Sequence, residues 1–321
     1  MKRIALLFLL VVVYSDTFSW GFYAHKHINT HAVFLLPPQM MVLYKPHIHF
    51  LSEHSVDPDK RRYMVQEEGA RHYIDMDHYG KYPFESLPRK WEEALKQYSE
   101  DTLKRYGIVP WWIQTMLNRL TNAFKVKDQA KILKLSAEIG HYIADSHVPL
   151  HACSNHNGQL TDQRGIHGFW ESRIPELLAE KEWDFFIGKA GYISNPLQFT
   201  WNRVLESAAA ADSVLLSEKK LSALFPADQK FSFEHRNGVI LRQYSTDYTL
   251  AYNRMMNNMV ERRMQQSVYA VASFWYTAWV NAGQPDLKKL SYKTFSELEL
   301  IEFEKLDAAW TDVYPKDKIC N

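Results

Sequence analysis

Thirteen of the 14 histidines in this 321-residue chain fall between positions 25 and 167, and only His235 lies beyond them. Any fold for the chain has to account for that crowding. The densest stretch, HYIADSHVPLH, sets His141 and Asp145 four residues apart, which places both side chains on one face of a helix. Pro149 ends that helix soon after Asp145 and lets the chain turn, so that His151 approaches the same region from a loop. His147, two residues beyond Asp145, faces elsewhere. His167 and Glu171 in HGFWE repeat the four-residue spacing at the start of the next helix.

The rest of the chain reads as helical too. Apolar periodicity predicts helices over 39–55, 87–106, 110–124, 128–146, 167–180, 200–216, 238–281 and 296–307. Runs of alternating β-branched residues are nearly absent, so the fold class is all-α, a multi-helix domain over 20–321 with no linker or repeat dividing it. Gly107 and Pro110 mark a stop and restart ahead of the Trp111, Trp112, Met116, Leu117 and Leu120 stripe. Tyr269, Phe274, Trp275 and Trp279 form a second stripe, and both stripes are expected in the core. The segments 57–87 and 152–165 are expected to be irregular.

Lys2 and Arg3 precede an apolar run over 4–13 and a short polar stretch ending at Ser19. That is the grammar of a cleaved signal peptide over 1–19. The run is too short for a hydrocarbon core that takes about 20 apolar residues. The expected mature chain starts at Trp20, is periplasmic or secreted, and has no transmembrane segment. A net charge of +1 offers no general attraction for nucleic acid or anionic membranes. An oxidising compartment permits Cys153 and Cys320 to pair, and two separate thiols fit the spacing as well.

A single histidine and carboxylate on a helix face is more often a surface hydrogen bond than a metal site. Two such pairs bracketing His151 within a short stretch change that balance. Imidazole and carboxylate are the donors zinc accepts where no thiolate is offered, and three protein ligands leave a position open for water. Asp57 in HSVDPDKRRY and His72 in RHYIDMD are further candidates, although spacing alone gives Asp57 a capping role and His72 a place at the surface. Trp20 offers a free α-amino group and a carbonyl after cleavage, with His25, His27 and His31 close behind.

Taken in order, WGFYAH, Asp57, His72, HYIADSHVPLH and HGFWE resemble the bacterial zinc-dependent phospholipase C and single-strand-specific nuclease superfamily. The resemblance runs from Trp20 to Glu171, about half the chain, and implies that superfamily's all-α fold and two to three zinc ions. It implies one zinc site from Asp57, His72, His141 and Asp145, and a second from His151, His167 and Glu171. Trp20 resembles a ligand of a third zinc, with Asp145 bridging two metals and His25, in preference to His31, completing the set. A metal-activated water would attack phosphorus, with Asp57 as its orienting or deprotonating group and Arg61 or Arg62 on a phosphate oxygen.

Two substrate classes follow from the resemblance. Glu171 and RHYIDMD are similar to the phospholipase branch, and WGFYAH to the nuclease branch. Phospholipid is the preferred substrate, with transient contact to a membrane surface, and single-stranded nucleic acid is the alternative. Phe22, Tyr23 and Phe169 suit base stacking, a lipid groove or the core. An exported zinc-binding protein without turnover accounts for the histidines equally well, and differs in leaving no position open for water.

Overall fold

The structure, a computed structural model, describes residues 21–236 and 239–290 and positions 296–298, 300, 301, 304, 305 and 308. The expected signal peptide, Trp20 and Cys320 lie outside the described residues, and the helix expected over 296–307 lies partly outside them. Cys153 has no disulfide partner among the described residues.

The chain is mostly helical. In order it forms α1 (Phe22–Phe34), α2 (Pro38–Tyr44), α3 (Ile48–Glu53), α4 (Asp57–Arg61), α5 (Trp91–Gln97), α6 (Glu100–Arg105), α7 (Val109–Val126) and α8 (Gln129–Ser146). There follow α9 (Ile166–Gly168), a π-helical turn (Phe169–Arg173), α10 (Ile174–Glu182) and α11 (Pro196–Leu224). An antiparallel hairpin, β1 (Phe231–Arg236) and β2 (Val239–Tyr244), precedes α12 (Thr246–Met255) and α13 (Met259–Asn281). No described helix is long and apolar enough to cross a membrane.

Local chemistry explains the element boundaries. Asp128 caps α8 by accepting from the Lys131 N–H at 3.1 Å, and Asn195 caps α11 through the Gln198 N–H at 3.1 Å. The helix expected over 39–55 is divided between α2, α3 and a 3-10 turn (His54–Val56). The one expected over 87–106 divides at Tyr98, and Ser99 starts a new helix by capping the Thr102 N–H at 3.1 Å. The long helix expected over 238–281 is corrected most. Its first part is the strand β2, Ser245 caps the start of α12, and Asn258 with φ of 53° breaks α12 from α13.

One contiguous apolar core runs from Ala24 to Leu290. α13 packs on α1, α7 and α8, and α7 packs on α8. Phe274, Trp275 and Trp279 are buried as expected, whereas Tyr269 on the same helix is exposed. Trp275 donates its indole N–H to the Ser136 carbonyl at 2.9 Å, and Tyr44 shares a hydrogen bond with the Ser136 hydroxyl. Burying a ring of this size contributes on the order of 2 to 3 kcal/mol, and the indole bond avoids an orphaned donor.

Two glycines let chain segments approach closely enough to build a site. A Cβ on Gly140 of α8 would lie 2.1 Å from the Asn29 side-chain oxygen on α1. Asn29 fills that space and donates to the Leu51 and Ala137 carbonyls, each at 3.0 Å, tying α1, α3 and α8 together. Gly107 has φ of 89°, and a Cβ there would meet the Tyr73 carbonyl at 2.1 Å. With that close pass allowed, Ile108 and Val109 donate to the Ala70 and Tyr73 carbonyls, and Asp75 donates to Tyr106. The segment carrying His72 is irregular, as expected, and these bonds fix it.

Candidate metal centre

The tie between α1 and α8 brings His25 against His141, their rings stacked with centroids 3.8 Å apart. His141 and Asp145 share a face of α8 as their spacing requires, with His141 Nε2 at 3.3 Å from Asp145 Oδ2. His72 enters from its pinned segment. Its Nδ1 lies 3.0 Å from Asp145 Oδ2 and 3.0 Å from His141 Nε2. Asp145 Oδ1 faces the other way, 3.4 Å from His25 Nε2. Asp145 therefore shows one oxygen to each of two neighbouring histidine groups.

The second carboxylate in this cluster is Asp59, not Asp57. Asp59 Oδ1 lies 3.7 Å from His72 Nδ1 and 3.6 Å from His141 Nε2. Asp57, the expected ligand and water-activating group, is directed instead at His54 Nδ1, 2.7 Å away, and at the Lys60 ammonium, 3.4 Å away. The reason is helical phase. α4 begins at Asp57 with Pro58 in its first turn, and residues two apart on a helix diverge by about 200°. Only one of the two aspartates faces α8.

His151, His167 and Glu171 converge separately. Pro149–Ala152 form a 3-10 turn after α8, and the His151 Nδ1–H donates to the His72 carbonyl at 2.6 Å. His167 donates from Nδ1 to the His156 carbonyl at 2.9 Å. The Nε2 atoms then face each other at 3.2 Å, with Glu171 oxygens 2.8 Å from His167 and 3.3 Å from His151. Glu171 itself sits in the π-helical turn, and its carbonyl accepts from the Gly21 N–H at 3.2 Å. The chain immediately after Trp20 is thereby held at this group.

The described residues thus hold three sets of donors, each within 4.8 Å: His25, His141 and Asp145; Asp59, His72 and His141; and His151, His167 and Glu171. Every one of these residues is buried. His31, the alternative to His25, is not brought in, and its Nδ1 bonds the His27 carbonyl on its own helix.

The hydrogen bonds of the three sets are those of a site that fits a cation. A histidine whose Nδ1 donates to a carbonyl presents a lone pair at Nε2, which describes His141 (to Ser55, 2.8 Å), His151 and His167. At His151 and His167 these lone pairs point at Glu171 oxygens and at each other, acceptor against acceptor, whereas His141 Nε2 faces the Asp145 and Asp59 carboxylates that favour a proton there. Neither oxygen of Asp59 nor of Glu171 forms a well-aligned hydrogen bond among the described residues. Buried acceptors in such a cluster demand a positive centre between them. A proton meets only part of this: burial pushes Glu171 up to about 8 and lowers His167 to about 4, so a protonated Glu171 can donate to His167 Nε2 at 2.8 Å, and one proton does not also serve His151 Nε2. Burial likewise lowers His25 to about 4, while Asp145 and Asp59 outweigh burial at His141 and raise it to about 10. Imidazole nitrogens and carboxylate oxygens, with their outer nitrogens fixed by carbonyls, suit a divalent transition metal.

A buried polar network backs the first set. Glu68 lies 3.7 Å from His72 Nε2 and also pairs with Tyr142, Arg71 and Arg61, and Arg61 pairs with Glu138 at 2.6 Å. Arg61 is thus consumed internally. Arg62 is half-buried with its guanidinium 3.8 Å from Asp59, and remains the arginine at the edge of the cluster. Sequence reasoning missed Glu68, whose four-residue spacing to His72 carries the same signal as His141 and Asp145. Phe169 is buried and stacks on Tyr244 at 4.0 Å, a core role.

No family model matches this chain, and no curated protein matches it.

Proposed function

We propose that this chain is an exported zinc-dependent phosphodiester hydrolase, of phospholipase C type, acting through the donor sets around Asp145. The observation that carries the reading is the position of Asp145, each of its oxygens turned to a different histidine group. Such a carboxylate is what two adjacent metal positions require as a bridge. Asp59, His72 and His141 would hold one zinc with Asp145, and His151, His167 and Glu171 a second. His25 and Asp145 would serve a third, with Trp20 of the mature terminus as the further ligand that the resemblance supplies. Zinc held by three protein ligands supplies Lewis acidity toward a phosphoryl oxygen and lowers the pKa of water to near neutrality.

The protein's own groups supply the remainder. Asp59 is the buried carboxylate available to accept a proton from an attacking water, the role expected of Asp57. Arg62, at the edge of the cluster, presents a planar donor fork to a phosphate oxygen. Burial of the donor sets keeps the developing charge in a low-dielectric setting, where fixed charges act most strongly. Phe169, in the core, is withdrawn from base stacking and from a lipid groove alike, so the preference for phospholipid rests on the resemblance of Glu171 and RHYIDMD to the phospholipase branch.

The test is hydrolysis of phospholipid vesicles and of single-stranded DNA, side by side, with elemental zinc analysis and a chelated control. Chelator-sensitive release of diacylglycerol with intact DNA is the expected outcome. Chelator-sensitive cleavage of DNA alone would transfer the chain to the nuclease reading. Bound zinc without either activity would leave a zinc-binding protein.

A further inference from the structure

A concave feature lies apart from the metal centre. Two residues past Asp145 the helical phase has turned by about 200°, and His147 there faces the opposite side of the last turn of α8. It lines a pocket of about 390 Å³ together with Phe199 and Arg203 of α11, Arg262, Gln265, Gln266 and Tyr269 of α13, and Ile187. Four separate pieces of chain form these walls.

The imidazole of His147 is 1% exposed. Its Nδ1 donates to the Ile143 carbonyl at 2.8 Å, and its buried Nε2 has no hydrogen-bond partner among the described residues. A buried ring nitrogen without a partner is costly, and here it lies against a pocket. The Arg203 Nε is a second buried atom without a partner, while one end of its guanidinium is steadied by Glu206 at 2.5 Å. Arg262 is exposed and anchored to the Asn257 carbonyl. The polar lining is thus two guanidiniums, two side-chain amides, a phenol and the imidazole. The rings of Phe199 and Tyr269 with Ile187 supply an apolar wall.

We propose that this pocket binds a small organic phosphate, a phosphomonoester with a hydroxyl-bearing organic part. Guanidinium forks match phosphate oxygens in two-point contact. The organic part lies on the apolar wall, which a bare phosphate ion leaves uncovered, and its hydroxyl is placed to donate to His147 Nε2. The volume exceeds what a phosphate ion needs and falls in the range of small-ligand sites, about 300 to 1,000 Å³. The inference is independent of any activity at the metal centre.

The test is calorimetric titration of the intact mature protein with glycerol 3-phosphate and, separately, with inorganic phosphate. Arg262→Gln is the deciding variant because its side chain is exposed and its loss leaves the core untouched; Arg203→Gln is the second. Arg242→Gln, an arginine on the hairpin, is the charge control. One site per chain is expected, weakened about tenfold or more by Arg262→Gln and by Arg203→Gln and unchanged by Arg242→Gln, the loss of one charge-assisted contact. Tighter binding of the ester than of inorganic phosphate is also expected. Unchanged binding by a folded Arg262→Gln variant, equal affinity for the two probes, or a site that disappears only on chelation would each overturn the proposal.

Discussion

The His72 carbonyl accepts the Nδ1–H of His151 at 2.6 Å, so the backbone of one donor set orients a ligand of another. The Ile74 N–H returns the contact by donating to the His151 carbonyl at 2.9 Å. The two sets therefore share a rigid frame, and the strength of each residue's claim on a metal can be read against its neighbours.

Asp145 touches histidines of two sets, His25 through one oxygen and His72 through the other, and Glu171 those of one. Asp145→Asn is expected to lower zinc content per chain more than Glu171→Gln does, and to lower chelator-sensitive hydrolysis by about a hundredfold or more, a typical scale for removing a charged group that acts on the transition state. Elemental analysis of the two purified variants beside wild type is the check. Equal zinc in all three would remove Asp145 from the bridging position.

Asp57 and Asp59 separate cleanly. Asp59→Asn is expected to cost metal and activity together, since its buried oxygens face His72 and His141 and form no well-aligned hydrogen bond among the described residues. Asp57→Asn loses its pairs with His54 and Lys60 and is expected to cost about 1 to 3 kcal/mol of stability with zinc retained. Urea unfolding with zinc analysis on each variant distinguishes them, and the reverse pattern would restore Asp57 as the ligand.

The close pass of α1 over α8 leaves no room at Gly140. Gly140→Ala is expected to push Asn29 off its two carbonyl partners and to destabilise the fold by about 1 to 3 kcal/mol, despite alanine's better helix propensity. Because His25 rides on α1, zinc content should fall with it. A melting temperature equal to wild type would show that α1 yields without cost.

Asp75 gives a pH dependence. Burial first, and then the Asp77 charge, push its carboxyl up to about 7 from the ordinary 3.8. The folded state then holds a proton that the unfolded state releases between these values, so stability contributed here falls as pH rises from about 4 to 7 and levels above. Asp75→Asn is expected to raise the melting temperature at pH 8 by a few degrees and to leave it unchanged at pH 4. Thermal denaturation of both proteins across that range checks the sign.

Much of the fold was legible because its signals are local. The α7 stripe and the Asp128 and Pro149 boundaries of α8 need only periodicity and a cap, and the spacings of His141 to Asp145 and His167 to Glu171 need only a helix. The choice between Asp57 and Asp59 does not have that character. Both are acidic, both precede basic residues, and the helical phase that separates them is set by where α4 starts. α1 escapes notice since its histidines interrupt an apolar stripe. The hairpin escapes since a strand pair that buries Leu241 and Tyr244 while exposing Phe233 and Ile240 mixes apolar and polar residues on its outer face, Phe233 opposite Arg242 and His235 opposite Ile240; the intervening Asn237-Gly238 in the sequence is its one strong signal. Tyr269 shows the limit of stripe reasoning, because even a helix packed on α1, α7 and α8 keeps one side outward, and Tyr269 stands there.

The π-helical turn over Phe169–Arg173 closes its hydrogen bonds one residue later than an α-helix does. The aim of Glu171 is thus recorded in how many residues the backbone counts at that point, not only in which residue stands there. A chain shortened by one residue within the turn would keep glutamate, keep an uninterrupted helix and present the carboxylate to a different side, so in this stretch a deletion is more consequential than most substitutions.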